Sequence, residues 1–69
     1  MFKVYEGLTI GENYDADAEF TNPMEALSDL KGREAGLMVI QQDNDAHTYT
    51  VLYVKVGDNI FDCIKGETV

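Results

Sequence analysis

Closely spaced carboxylates are the first side chains in this sequence whose type and spacing could support chemistry. Asp15, Asp17 and Glu19 occupy every second position, as the first ligands of a calcium loop do. The stretch lacks the glycine at the sixth position and the closing glutamate that such a loop requires. A second group, in residues 43–47, combines two aspartates with a histidine, but aspartate and asparagine also favour turns without any ion. We therefore expect neither a metal site nor a cofactor.

Residues suited to covalent or acid–base catalysis are few and scattered. Ser28 is the only serine and His47 the only histidine, and the chain contains none of the glycine-rich or nucleophile-elbow motifs that build catalytic sites. Cys63 alternates with Phe61 and has no base beside it in sequence, so we expect a small core residue rather than a reactive thiol. A chain of 69 residues also leaves little room for a pocket. We predict that the protein is not an enzyme.

The stretch from residue 11 to residue 29 contains six acidic residues and no basic one. The six are Glu12, Asp15, Asp17, Glu19, Glu25 and Asp29. Over the whole chain, 13 Asp and Glu oppose 5 Lys and Arg, which gives a net charge of −8. This sign disfavours direct binding to nucleic acid or to an anionic membrane, because both need cationic side chains against phosphates. A basic protein partner is expected instead, although net charge also serves solubility alone.

Charge mimicry is the function that this pattern favours. Carboxylates on a loop, a helix start and hairpin tips can present a negative surface to a groove built for phosphates, and such a groove belongs to a nucleic-acid-handling protein. We expect the six acidic residues to form that surface and an apolar strand patch to provide the tight contact. The expected patch consists of Tyr49, Val51 and Tyr53. Small inhibitors carried by phages and mobile elements share this acidic profile, which is an analogy of composition only.

A single domain spanning residues 1–69 is the organisation that the length allows, because an average domain is about twice as long. The single cysteine cannot close an intramolecular disulfide, so we expect a reducing compartment. The first residues hold no apolar run of signal-peptide type. The longest apolar runs are also far shorter than the ~20 residues that a spanning helix needs. The predicted location is the cytoplasm.

Local patterns predict an α+β fold of order β-α-β-β-β, with one helix packed on an antiparallel sheet. Alternating apolar residues predict a first strand over residues 2–10, with Gly7 as a bend. Residues 11–19 show no apolar period and are expected to form a loop or a weak helical turn. Asn22 and Pro23 are typical of a helix N-cap and its first position. They predict a helix near residues 23–35, whose apolar stripe is Met24, Leu27 and Leu30.

The chain after Gly36 is expected to form a three-stranded antiparallel meander. The predicted strands are 37–42, 47–56 and 60–65, with turns at 43–46 and 57–59. Common hairpin lengths then place Leu37, Val39, Leu52, Val54, Val56, Phe61 and Cys63 on one face. The other face would carry Met38, Ile40, Tyr49, Val51, Tyr53, Ile60 and Ile64. We expect the helix to pack against Leu52, Val54 and Phe61.

Both faces of this predicted sheet are apolar, whereas an antiparallel sheet with one wet face alternates apolar and polar residues. One short helix can cover only one of them. Either the first strand and the acidic loop wrap around the other face, or a second molecule covers it. The alternative function is therefore a structural or assembly subunit that forms a homodimer through Tyr49, Val51, Tyr53, Ile60 and Ile64.

Overall fold

The computed structural model describes residues 1–10, 15–41 and 48–69. Within these ranges one helix packs on a six-stranded antiparallel sheet, so the predicted α+β class is confirmed. The elements in chain order are β1 (Phe2–Glu6), β2 (Ala18–Phe20), α1 (Pro23–Lys31), β3 (Ala35–Gln41), β4 (Tyr49–Val56), β5 (Asn59–Asp62) and β6 (Glu67–Thr68). The strand order across the sheet is β2-β1-β3-β4-β5-β6. The meander is thus extended by β1 and β2 on one side and by β6 on the other.

Two short strands, β2 and β6, were not expected from the sequence. β2 lies in the acidic stretch that has no apolar period, and it forms because Ala18 and Phe20 pair with Val4 and Phe2 of β1. β6 returns along β5 after a turn in which the Asp62 carboxylate accepts hydrogen bonds from two backbone N–H groups. The same turn ends β5 at Asp62, three residues before the predicted end. Pairing with a neighbouring strand, rather than local propensity, creates both elements.

The helix begins where the sequence predicts. The side chain of Asn22 accepts a hydrogen bond from the Met24 N–H at 2.8 Å, and Pro23 occupies the first turn. The helix ends at Lys31 rather than near residue 35, because Gly32 caps it through its N–H to the Asp29 carbonyl oxygen. The shorter helix frees Ala35 and Gly36 to begin β3, which pairs there with both β1 and β4.

The buried side of the helix is centred on Ala26 and Leu30, both fully inaccessible to solvent. They pack against Val4 of β1 and Met38 of β3, with Leu27 half-buried beside them. Met24, expected in the same stripe, is 73% exposed. The prediction for Met24 is wrong because Ala26, which is too small to stand out in the pattern, defines the buried side together with Leu30 four residues later.

A β-bulge between Met38 and Val39 decides which residues of β4 share a face. Leu37 lies opposite Val54 and Met38 opposite Tyr53, but Val39 lies opposite Val51. One extra residue, Leu52, is therefore inserted on β4. The alternation of side chains then shifts by one position, and Val51 lies on the face opposite to Tyr53.

The predicted grouping of faces is corrected by this bulge. Tyr49 and Val51 belong to the face of Leu37 and Val39, whereas Tyr53 shares the helix side with Met38. The helix covers the Met38 face, so the expected contacts of the helix with Val54 and Phe61 are wrong; Leu52 does pack against the helix cluster, as expected. The predicted faces were based on common hairpin lengths, which contain no information about a bulge inside a strand. This is why part of β4 was assigned to the wrong face.

The sheet face away from the helix, called here the outer face, has a core of its own. Tyr5, Leu37 and Val39 are buried there, at 3%, 7% and 0% exposure. Ile10 and Ala16 pack against them from the segment that leaves β1 and returns to β2. The protein's own chain therefore covers part of the outer face. Of the two arrangements expected for a sheet with two apolar faces, cover by the chain itself or by a second molecule, the first is present.

The predictions for Cys63 and for the two hairpin turns have different outcomes. Cys63 is exposed rather than in the core, because β5 has ended before it. The turn after β4 lies at Gly57 and Asp58, as predicted, with Gly57 at a φ of +60°. The predicted turn at 43–46, together with His47, lies outside the described residues.

Gly36 sits directly beneath the helix. A Cβ atom added there would lie 2.9 Å from the Leu30 Cδ1 atom and 2.9 Å from the Tyr5 backbone oxygen. Real Cβ contacts are not that short, and the Tyr5 backbone cannot move without disturbing the β1–β3 pairing. The absence of a side chain at Gly36 therefore sets how closely the helix can approach the sheet.

Leu30→Ala should lower the free energy of unfolding by about 2–5 kcal/mol, because it removes a fully buried side chain and leaves a cavity. This is a large share of the roughly 3–10 kcal/mol expected for a domain of this size. Met24→Ala, in the same helix, should change stability by less than about 0.5 kcal/mol. Urea unfolding followed by circular dichroism measures both values. Equal losses for the two variants would show that the helix packs through a different side.

Gly36→Ala should destabilise the protein by about 1–3 kcal/mol through overpacking. Gly32→Ala is the matched control, since the nearest atom to a Cβ there is 3.5 Å away and its φ of −84° suits any residue. Thermal unfolding should show a lower Tm for the first variant and an unchanged or slightly higher Tm for the second. A neutral Gly36→Ala would mean that the helix does not approach the sheet so closely.

Candidate functional site

Tyr5 is a buried tyrosine on the outer face of the sheet. Its pKa is raised above the ordinary value, first by burial and then by the nearby Glu19, Tyr49 and Asp15 side chains. Asp15 and Glu19 come from the acidic stretch, while Tyr49 begins β4. The fold thus places Glu19 of β2 and Tyr49 of β4 on the same face of the sheet as Tyr5, which is 3% exposed, with β1 and β3 between the two strands. Asp15, Glu19, Tyr49, Val51 and Tyr5 are called the outer-face surface below.

The pairing of β2 with β1 positions Glu19. Lys3 and Glu19 are register partners, and their side chains form an ion pair of 3.3 Å between Nζ and Oε1. Lys3 alternates with Val4 along β1, so Lys3 and Glu19 point to the outer face, like Tyr5. The Glu19 side chain remains about half exposed, at 53%. Its charge is therefore partly compensated but still accessible to a partner.

Asp17 has a structural role that its sequence position did not reveal. Its Oδ2 atom accepts a hydrogen bond from the Glu6 N–H at 2.7 Å, and its own N–H donates to the Val4 carbonyl oxygen at 3.0 Å. These contacts tie the acidic segment to the end of β1 and hold Ala16 over the outer face. Asp17 therefore anchors the segment that carries Asp15 and Glu19.

Tyr49 and Val51 reach the outer face through β4, opposite Gln41 and Val39. Tyr49 is 37% exposed, and Val51 is half-buried against the outer-face core. Tyr53, predicted with them, lies on the helix side and packs against the helix cluster. The expected apolar patch of three residues is therefore divided between two faces, and two of the three, Tyr49 and Val51, lie on the face to which Glu19 points.

The acidic residues of the helix lie on the opposite side of the sheet from Glu19. Asp29 accepts hydrogen bonds from two nitrogen atoms of Arg33 at 3.1 Å each, and Arg33 also pairs with Glu6 at 2.6 Å. The bond to Glu6 is the main reason that the pKa of Arg33 is raised. Glu25 is exposed and makes no ion pair among the described residues. Glu12 lies outside the described residues, so the six predicted residues do not form one continuous surface in the part that the structure describes.

Most of the basic side chains form ion pairs or hydrogen bonds within the protein. Lys3 and Arg33 are ion-paired, and the Lys55 ammonium donates to the backbone oxygens of Arg33 and Gly57. Several exposed acidic residues have no ion pair or side-chain hydrogen bond within the described ranges. They are Asp15, Glu25, Glu34, Asp58 and Glu67. The surface is therefore more acidic than the ratio of acidic to basic residues suggests, since the cations that remain exposed are few.

A metal site is not formed where the spacing of carboxylates suggested one. In the described part of the chain, no group of three or more His, Cys, Asp or Glu side chains could hold a metal ion. Asp17 is directed to a backbone N–H and Glu19 to Lys3, so the three alternating carboxylates serve different contacts. The second candidate group, in residues 43–47, lies outside the described ranges.

An apolar groove of about 240 Å³ opens on the helix side of the sheet. Its apolar walls, which define the groove below, are Pro23, Met24, Leu27, Leu52, Tyr53 and Ile64. Met24 and Ile64 are 73% and 67% exposed. Sequence patterns do not predict this groove, because they place Met24 in the core and Ile64 within a strand.

Comparison with protein-family models, curated proteins and solved structures found no match to this chain. Among the described residues, no helix is long and apolar enough to cross a membrane.

Burial of Tyr5 predicts a specific loss of stability at alkaline pH. A raised pKa in the folded state means that folding favours the protonated phenol, so its contribution is complete below the ordinary pKa of about 10 and is lost as pH rises through the folded-state value. The difference in unfolding free energy between the wild type and Tyr5→Phe should be constant from pH 7 to about 9. Above about pH 10 the wild type should lose stability relative to Tyr5→Phe. Urea unfolding across this range measures it. A constant difference up to about pH 11 would contradict burial of the phenol.

Proposed function

We propose that the protein is a non-catalytic binding module that occupies the nucleic-acid site of a basic protein through its outer-face surface. The observation that carries this proposal is the strand register, which places Glu19, Tyr49 and Val51 on one face of the sheet: Glu19, Lys3, Val39 and Val51 are successive partners from β2 to β4. A carboxylate and an aromatic residue on one face match what a phosphate-binding groove presents, namely cationic side chains with apolar stems. We expect the protein to act in the cytoplasm, as an inhibitor of the type that phages and mobile elements carry.

Charge supports this proposal through the rate of encounter. A net charge of −8 on 69 residues attracts a basic partner at long range, and such steering raises association rates at low salt. The two acidic residues on the outer face then orient the complex locally. Because the segment carrying Asp15 is tied to β1 by Asp17, little conformational freedom is lost when the partner binds.

Tyr49 and Val51 supply the apolar part of the contact. Tyrosine is enriched in interfaces because it buries a large ring and keeps a polar tip. Tyr49 is exposed enough to touch a partner, at 37%, while its position on β4 is fixed by pairing with β3. A rigid aromatic residue next to fixed carboxylates gives both affinity and orientation.

The test uses two variants with the same change in net charge. Asp15→Asn/Glu19→Gln neutralises the outer-face surface, and Asp58→Asn/Glu67→Gln neutralises two exposed acids elsewhere. The partner is isolated from a host lysate on immobilised wild-type protein, identified, purified and studied by stopped-flow fluorescence. We expect the first variant to associate about tenfold more slowly at low salt, and the control to change by at most about twofold. Association should slow further as salt rises, with screening over about 8 Å at physiological strength.

Equal slowing by the two variants would contradict the proposal, because it would show that net charge alone, and not this surface, governs binding. A second readout separates encounter from contact. Tyr49→Ala should mainly raise the dissociation rate, since it removes buried area without changing charge. Sedimentation of the free protein tests the alternative function: a homodimer that Val51→Asp dissociates without unfolding would favour the assembly subunit.

A further inference from the structure

The outer face continues past the outer-face surface onto β5, where it exposes further apolar side chains. Leu37, Val54 and Phe61 are successive register partners from β3 to β5, so Phe61 lies on the outer face. Val56 follows Val54 by two residues on β4 and therefore points the same way. Val56 is 53% and Phe61 44% exposed, while Val54 packs against the outer-face core. These three neighbouring residues, Val54, Val56 and Phe61, are called the β4–β5 patch below.

The strands that form the β4–β5 patch direct no charged side chain to the outer face. Asn59 and Thr68, the register partners of Val56 and Phe61, are uncharged. The charged residues of β4, β5 and β6 alternate with these positions and point to the helix side; they are Lys55, Asp62 and Glu67. The turns before and after β5 contain one charge of each sign, Asp58 and Lys65. The patch therefore offers a partner an apolar contact and no charge.

The size of a stable interface links the β4–β5 patch to the outer-face surface. A standard interface buries about 800 Å² on each partner. The molecule measures 32 × 21 × 19 Å along its principal axes, so an interface of that size takes in most of one face. Glu19 lies on β2 and Val51 on β4, and β5 is the next strand beyond β4. A standard interface that includes both residues therefore extends onto the β4–β5 patch.

We propose that the basic partner places an apolar surface, adjoining its nucleic-acid site, against the β4–β5 patch, and that Phe61 provides the largest side chain of this contact. The inference rests on the proposed function and adds to it the class of partner, namely a protein whose basic groove borders an apolar surface. Its physical reason is desolvation. A uniformly cationic groove would bury lysine or arginine against the patch without a carboxylate to pair with, which is unfavourable, whereas an apolar surface gains from the same contact. Charge then sets the rate of encounter, and the patch decides which basic protein stays bound.

A second copy of this chain is a poorer occupant of the β4–β5 patch than a basic partner. Two copies that each carry a net charge of −8 repel one another. A two-fold interface of standard size would also extend to Glu19. On its strands the facing copy directs one cation to the outer face, Lys3, and this lysine is already ion-paired. A basic partner instead meets both the acidic and the apolar part of the face.

Dissociation kinetics of the complex with the partner isolated from host lysate test the proposal. Phe61→Ala should raise the dissociation rate about tenfold and change the association rate by at most about twofold, because it removes apolar area without changing charge. Val56→Thr, a smaller change at an exposed strand position, should raise the dissociation rate about threefold. Ile64→Ala is the matched control, since it removes an exposed apolar side chain from the apolar groove on the other side of the sheet and should leave both rates unchanged. Circular dichroism and urea unfolding establish that each variant is folded.

Poly-L-lysine provides a uniformly cationic probe without an apolar surface of its own. Phe61→Ala should bind this polymer as the wild type does, so the ratio of the affinity for the partner to the affinity for poly-L-lysine should fall about tenfold. An equal loss of affinity for both would overturn the proposal, because Phe61 would then not distinguish between basic surfaces. An unchanged dissociation rate of the partner from Phe61→Ala, or the same increase for Ile64→Ala, would also overturn it.

Failure of this inference and failure of the proposed function give different results. If the inference alone fails, Asp15→Asn/Glu19→Gln still associates more slowly than Asp58→Asn/Glu67→Gln, while Phe61→Ala dissociates like the wild type. If the proposed function fails, the two charge variants slow association equally. A wild-type homodimer in sedimentation that Phe61→Ala dissociates would assign the β4–β5 patch to a second copy and overturn the proposal.

Discussion

The close approach of the helix to the sheet, through Leu30 above Gly36, is the contact on which the rest of the structure depends. Leu30 is fully buried, and any side chain at position 36 would collide with it and with the backbone of β1. In a chain with one nine-residue helix among the described residues, this contact determines which sheet face the helix covers. The opposite face must then be sealed by other means.

Part of the outer face is covered by Ile10 and Ala16, which pack on Leu37 and Val39, while Asp17 of the acidic stretch ties this cover to β1. The same stretch carries Glu19, whose side chain points to the outer face, and the exposed Asp15. The structural role of this stretch is thus linked to its proposed function. On the helix side, Arg33 joins the end of β1 to the helix through Glu6 and Asp29. The acidic residues of this chain are therefore divided between structural contacts and exposed charge.

Local chemistry made part of the fold predictable. The Asn22 cap needs only its own hydrogen bond to the Met24 N–H, and the turn at Gly57 needs only a residue that accepts positive φ. Neither depends on distant residues, and both were predicted at the right positions. β2 and the bulge at Met38 exist only through pairing with other strands, and no local pattern marks them.

The same distinction between local sequence patterns and strand pairing explains which candidate site residues were predictable. Charge and amphipathic character predicted Asp15, Glu19 and Tyr49 as candidate site residues, and the bulge places Tyr49, but not Tyr53, on the face of Glu19. Tyr5 was not predicted as part of the surface proposed here. Its alternation with Lys3 along β1 was the available signal, although the covering by Ile10 and Ala16 that buries it depends on the tertiary fold.

Competition with nucleic acid tests whether this protein occupies the nucleic-acid site of its partner. A fluorescent DNA duplex is first bound to the purified basic partner, and this protein is then added while anisotropy is followed. Charge mimicry predicts that the duplex is released in proportion to the protein added, and that Asp15→Asn/Glu19→Gln releases it less well than Asp58→Asn/Glu67→Gln does. A ternary complex, in which the partner holds the duplex and this protein at the same time, would contradict the account.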